Sequence, residues 1–126
     1  MSLKILVVDD EKDVELLFRQ RFRREIRSGK IDLLFAFSGE DALDMLTEEG
    51  RTDVVLVLSD INMPGMTGLE LLRRIKAIPP PMPVCMMTAY GNDTYQRQAE
   101  ANGSDGYLTK PIDFGALKER IRTLAK

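Results

Sequence analysis

The chain has 126 residues, 44% of them hydrophobic and 30% charged, a balance that suits one globular domain over residues 1–126. Its 18 basic and 20 acidic residues leave a formal net charge of −2, which gives no reason to expect bound nucleic acid or an anionic membrane. It contains no histidine, which excludes a Ser-His-Asp triad and a His-rich metal site, and its single cysteine, Cys85, excludes an internal disulfide.

Lys4–Val8 is a compact β-branched run that predicts a first strand, and it leads into Asp9 and Asp10. The spacing then predicts a helix from about Val14 to Arg27, ended by Ser28-Gly29. There the basic residues of Arg19–Arg27 are interleaved with Leu16, Leu17, Phe18, Phe22 and Ile26, as on an amphipathic helix with a wet, charged face. Ile31–Phe37 reads as a second strand. Ser38 suits the N-cap of a helix running to about Glu49, with Asp41 at its third position and Gly50 as its stop.

Val54–Leu58 is nearly all Val and Leu, as a central strand buried on both faces requires, and it passes through Ser59 into Asp60. Pro64-Gly65 predicts a turn, Leu69–Ile78 a helix, and Pro79-Pro80-Pro81 its firm end. Val84–Met87 predicts the fourth strand and leads into Thr88; Cys85 within it reads as a buried, inert thiol. Asp93–Asn102 is weakly amphipathic, with Tyr95 and Ala99 its best inward candidates, and is expected to be the least stable helix. Gly106–Thr109 predicts the last strand, running into Lys110 and Pro111, and Phe114–Leu124 the last helix, with Leu117, Ile121 and Leu124 on one stripe. Met63, Met66, Met82, Met86 and Met87 read as packing or loop residues. No apolar stretch is long enough to span a bilayer and no signal peptide is evident, so the expectation is a cytoplasmic protein without a membrane partner.

Five strand–helix units in so short a chain predict an α/β fold, a doubly wound five-stranded parallel sheet with helices on both faces. Strand order 2-1-3-4-5 would set the first and third strands side by side at the switch point. The carboxyl ends of the strands then share one edge, so Asp9, Asp10, Asp60, Thr88 and Lys110 meet there. Three carboxylates in close proximity repel, at about 4 kcal/mol per pair 4 Å apart in an effective dielectric near 20. A protein tolerates this where a cation is meant to sit, and hard oxygen ligands suit Mg²⁺. Asp60 is placed to be both ligand and nucleophile toward a phosphoryl group, with Lys110 offsetting charge and Thr88 offering a hydroxyl.

The stretches KILVVDDE (Lys4–Glu11), LSDINMPGMTGLELL (Leu58–Leu72), MMTAYG (Met86–Gly91) and GYLTKPID (Gly106–Asp113) resemble the receiver domain of two-component response regulators, with a chemotaxis-regulator-like pattern over essentially the whole chain. The resemblance implies a flavodoxin-like receiver fold with Asp60 as phosphoacceptor. It implies Mg²⁺, or Mn²⁺ in its place, bound by Asp9, Asp10, Asp60 and the backbone carbonyl of Asn62. Thr88 and Lys110 would contact the phosphoryl group, the bond between Lys110 and Pro111 would be cis, and Tyr107 would be the aromatic switch that turns inward as Thr88 moves. Asn62 and Tyr90 lie where side chains of this family tune access of water to the phosphoryl group; the bulk of Tyr90 suggests partial shielding.

By the same resemblance the partners are a sensor histidine kinase or a histidine phosphotransfer domain, and a downstream effector. A phosphorylation-dependent homodimer is a further expectation, as is the absence of nucleic acid from this domain's partners and of turnover of an external substrate. An aspartyl-phosphate phosphatase would need a second carboxylate two residues after Asp60, where Asn62 stands. A pseudo-receiver would show degenerate acidic, Thr or Lys positions, and all are present. A flavin or nucleotide carrier would need a Gly-rich loop where Asp10-Glu11-Lys12-Asp13 stands. The polar, glycine-rich Gly103–Gly106 departs from the usual pattern and suggests a mobile output face.

Overall fold

A computed structural model of the chain describes residues 2–47, 53–79, 82–89 and 93–124. Five strands, β1 (Leu3–Val8), β2 (Ile31–Ala36), β3 (Val54–Asp60), β4 (Val84–Thr88) and β5 (Gly106–Thr109), form one sheet in the order β2-β1-β3-β4-β5. Every pairing is parallel. The helices are α1 (Asp13–Arg21), α2 (Arg23–Arg27), α3 (Gly39–Thr47), α4 (Gly68–Lys76), α5 (Asp93–Ala101) and α6 (Phe114–Leu124). Glu49 and Gly50, the expected end of α3, lie outside the described residues.

Alternation along the strands divides the core in two. Leu6, Val8, Val57 and Met86 point to one face, where they meet Ala42 and Leu46 of α3, Leu71, Leu72 and Ile75 of α4, and Ala99 of α5. Ile5, Val7, Leu56, Leu58, Cys85 and Met87 point to the other, where they meet Phe18 of α1, Phe22, and Leu117 and Ile121 of α6. The second cluster is centred on aromatic rings: Phe18 stacks on Phe22 at 6.0 Å, and Phe114 meets both edge-on at 5.2 and 6.0 Å. Met63, Met86 and Met87 are buried and Met66 and Met82 partly so, as packing residues should be.

Helix starts follow their caps. The Asp41 amide donates to Ser38 Oγ at 3.0 Å, the Glu70 amide to Thr67 Oγ1 at 3.2 Å, and the Ala116 amide to Asp113 Oδ1 at 3.1 Å. The helix expected as one piece from Val14 to Arg27 is divided at Phe22, whose backbone (φ −103°, ψ 15°) leaves helical geometry. Hydrogen bonds from the Phe22 amide to Phe18 O and from the Ile26 amide to Phe22 O bridge the break. Of the apolar residues on this segment, Phe18 and Phe22 are buried, whereas Leu16 is 71% and Leu17 40% exposed. At about 100° per residue, neighbours of Phe18 in sequence cannot share its face.

Helix α5 is thinly held, as its weak amphipathicity suggested: Ala99 alone among its described residues is buried. The Gly103–Gly106 segment that follows is tied down at its base. Lys76 Nζ donates to Asp105 Oδ2 at 2.6 Å and to Met82 O at 2.7 Å, and the same Asp105 oxygen accepts the Val84 amide at 2.9 Å.

One glycine is demanded by close approach. A Cβ on Gly68, the first residue of α4, would lie 2.0 Å from Asp60 O and 2.6 Å from Ile61 Cα, and its amide donates to Ile61 O at 2.8 Å. Gly68→Ala is expected to destabilise the fold by roughly 3 kcal/mol, because backbone cannot yield as a side chain can. Gly115→Ala, whose added methyl would meet only the Asp113 carboxylate at 3.3 Å, should be neutral or slightly stabilising. Urea unfolding of both variants checks this, and equal stability would refute the packing argument.

Candidate functional site

Among the described residues, the buried polar side chains are Asp9, Ser59, Asp60 and Thr88, and all lie at carboxyl ends of strands. Strand β1 delivers Asp9 and the exposed Asp10, β3 ends on Asp60, β4 ends on Thr88, and Lys110 follows β5. The register explains the convergence. Val8 pairs with Ser59, Asp60 with Met87, and Thr88 with Thr109, so the ends of four strands fall nearly level. Asp9, Asp10 and Asp60 each offer a carboxylate oxygen within 4.8 Å of the others. The sequence reading of these three as neighbours is thus matched by geometry.

Lys110 reaches across this group from 101 positions along the chain. Its Nζ donates to Asp9 Oδ2 at 2.7 Å and lies 3.7 Å from Asp60 Oδ2. The other Asp9 oxygen accepts the Glu11 amide at 3.0 Å, so both sides of that carboxylate are committed. The Lys110–Pro111 peptide bond is cis.

Charge at the site is balanced unevenly. Burial pushes the Asp60 carboxyl from 3.8 up to about 6; Lys110 and the Asn62 backbone amide pull it down, while Asp9 and Asp10 push it further up. Burial works against the Lys110 ammonium too. Its hydrogen bond to Asp9 and the fields of Asp60, Asp9 and Glu11 outweigh that, and its pKa stands above the usual lysine value. One ammonium thus faces three carboxylates, a deficit that a divalent cation would correct. The donors are hard oxygens closely grouped, one of them solvent-exposed, which fits an ion that keeps part of its water shell.

Thr88 Oγ1 donates to Asn62 Oδ1 at 3.1 Å. Tyr107 sits on β5 opposite Met86, half-buried, and packs against the core face that α3, α4 and α5 cover. Tyr90 lies outside the described residues. Cys85 is buried, and burial raises its thiol to about 11, so it takes no part in this chemistry. The Asn62 side chain was singled out from the sequence for water access, but not its contacts with Thr88 and Tyr95. Gly68 was not singled out and carried only the faint signal of following an N-cap threonine.

The protein-family model for the response regulator receiver domain matches residues 5–122. Sporulation initiation phosphotransferase F of Bacillus subtilis (strain 168) is 34% identical over 122 residues, covering 97% of this chain and 93% of that protein. Response regulator protein PilR of Pseudomonas aeruginosa is 36% identical over 120 residues, but this chain spans only 25% of its length. A solved response regulator receiver domain protein from Clostridium thermocellum superposes with a TM-score of 0.86 at 29% identity, covering 98% of this chain and 94% of that one.

The raised Asp60 pKa has a consequence for stability. The fold disfavours the ionised carboxylate, so stability is lost as pH rises from about 3.8 through about 6. In the presence of a chelator, Asp60→Asn should be more stable than the native chain at pH 7.5, by on the order of 2 kcal/mol. That gap should close as pH falls below 6 toward 4. Urea midpoints measured across this range decide it, and a gap that persists at pH 4 would assign the effect to packing instead of charge.

Proposed function

This chain belongs to the response regulator receiver domain family, and we propose that it is a phosphoacceptor switch whose phosphorylated residue is Asp60. A carboxylate oxygen of Asp60 attacks the phosphorus of a phosphohistidine carried by a sensor histidine kinase or a histidine phosphotransfer domain. The P–N bond breaks, the imidazole leaves, and an acyl phosphate forms on Asp60. The chain itself holds no histidine, so the phosphodonor is another molecule or another domain.

Asp9, Asp10, Asp60 and the backbone carbonyl of Asn62 would hold Mg²⁺, with Mn²⁺ as a substitute. When bound, the ion neutralises charge on the transferring oxygens. The chain's own contribution is orientation and counter-charge. Asp9 fixes the Lys110 ammonium beside Asp60, where it offsets the negative charge that the phosphoryl group brings. The Thr88 hydroxyl supplies a hydrogen bond to a phosphoryl oxygen. Its movement leaves room for Tyr107 to turn inward, and an effector protein or domain reads the altered face. Moving such an equilibrium from 1:99 to 99:1 requires about 5.5 kcal/mol of differential stabilisation. A few charge-assisted hydrogen bonds and the burial of one ring are of that order.

In this reading residues 1–126 are one receiver domain, cytoplasmic, that turns over no external substrate and binds no nucleic acid or membrane itself. Phosphorylation would also favour a homodimer. Among the described residues, no helix is long and apolar enough to cross a membrane. The observation that carries the proposal is the ion pair from Lys110 to Asp9, set 3.7 Å from a buried Asp60 beside two further carboxylates. Separately, each group has an ordinary structural use; together they match the demands of phosphoryl transfer.

Intact-mass analysis after incubation with acetyl phosphate tests it. A single phosphoryl adduct is expected with Mg²⁺, a much smaller yield with chelator, and none with Asp60→Asn. Absence of any adduct, repeated with phosphoramidate and several kinases, would leave a receiver that signals through protein contacts alone.

A further inference from the structure

The contact between Thr88 and Asn62 has a stoichiometric consequence. A threonine hydroxyl carries one proton, and here that proton is donated to Asn62 Oδ1 at 3.1 Å. The same proton is needed if Thr88 is to donate to a phosphoryl oxygen on Asp60. It cannot serve both acceptors. An anionic oxygen is the stronger one, since charge-assisted hydrogen bonds are roughly twice as strong as neutral ones.

We propose that the Asn62 side chain is a positioning residue, holding the Thr88 hydroxyl on one side and the phenol of Tyr95 on the other, so that phosphorylation of Asp60 is transmitted to α5 through this amide. The inference rests on the phosphoacceptor reading of Asp60. Asn62 Nδ2 lies 3.5 Å from the Tyr95 hydroxyl, a long contact that exchanges at little cost. The carboxamide is planar, so its oxygen and nitrogen cannot move independently. When Thr88 withdraws its proton, the oxygen seeks a new donor and the nitrogen is re-aimed with it. Asn62 is exposed, so water satisfies the amide in its new orientation without a desolvation penalty.

Tyr95 is suited to receive that change. It stands in the first turn of α5, the helix that buries only Ala99. Beside it lies a cavity of about 350 Å³ lined by Ile61, Asn62, Met63, Thr67, Leu69 and Tyr95, which gives the ring space to move without breaking the core. Tyr95 and Tyr107 pack against the same core cluster, and the Tyr107 phenol, raised above its ordinary value first by burial, also feels the charge of the Tyr95 phenol. The route therefore runs along the rim of the site, from Thr88 through Asn62 to Tyr95, and meets Tyr107 from outside. It is distinct from a rearrangement passed through β5.

The chain has three tyrosines, Tyr90, Tyr95 and Tyr107, so fluorotyrosine labelling gives a three-line ¹⁹F spectrum assignable with single Tyr→Phe variants. Phosphorylation with acetyl phosphate and Mg²⁺ should shift the Tyr95 line of the native chain. Thr88→Val, which keeps the side-chain shape but lacks the donor, should move that line in the same direction with no phosphodonor present. In Asn62→Ala the Tyr95 response to phosphorylation should fall at least twofold while Tyr107 still responds.

A Tyr95 line unmoved by Thr88→Val, or an undiminished response in Asn62→Ala, would overturn the proposal. Intact mass recorded on each sample separates the two readings. Lack of an adduct on the native chain defeats the phosphoacceptor reading, whereas the Thr88→Val comparison needs no phosphodonor and judges the Asn62 contact by itself.

Discussion

Both faces of this sheet are covered by helices, and that single constraint governs where chemistry can occur. Every residue from Ile5 to Val8, from Leu56 to Asp60 and from Val84 to Thr88 is buried. An uncompensated polar side chain in the middle of such a strand would lose its hydration and gain nothing. The strands are therefore apolar until they run out, and polar groups cluster at their ends. Because the strands are parallel and in level register, the carboxyl ends share one edge. Concentration of Asp9, Asp60, Thr88 and Lys110 at that edge is thus a product of the packing as much as of the chemistry.

The site is held together by a pair and strained by a group. Lys110 satisfies Asp9 directly at 2.7 Å and Asp60 only from 3.7 Å. Asp60, largely cut off from water, is left partly uncompensated, which is why burial dominates its pKa. A buried charge that lacks full compensation is poor for stability, and a cation held beside it would supply what Lys110 does not. The Glu11 amide on the second oxygen of Asp9 matters here. It fixes the orientation of that carboxylate, and so fixes where the ammonium stands.

Away from the site edge, the fold differs in how firmly its parts are held. The face covered by α1, α2 and α6 is stacked with aromatic rings and crossed by the Lys118–Glu25 ion pair at 3.0 Å. The opposite face is fastened at its base, where Asp105 joins Lys76 to the start of β4. Between that base and the site lies α5, attached by one fully buried alanine and by partly buried Tyr95. A helix so held has less buried contact than the aromatic face, which places it nearer the low-stability end of the fold.

The sequence by itself determined the alternation of strands and helices, and with it the parallel sheet and its order. It also determined which side chains terminate the strands: Asp9, Asp10, Asp60, Thr88 and Lys110 were legible because a run of buried β-formers ends on each in turn. These are properties of adjacent residues, which periodicity reports directly. What only the tertiary structure decided depends on distance between segments that periodicity does not relate. The break at Phe22 serves ring packing against Phe114, nearly a hundred residues away. Gly68 is required because α4 begins against the backbone of Asp60 and Ile61. Gly103–Gly106 looked loose in composition, yet Asp105 anchors it through a lysine 29 positions earlier. The partners of the Asn62 amide, one on β4 and one on α5, are the clearest case. The family resemblance marks Asn62 for its backbone carbonyl and for water access, and only the folded chain brings Thr88 and Tyr95 to the two ends of its side chain.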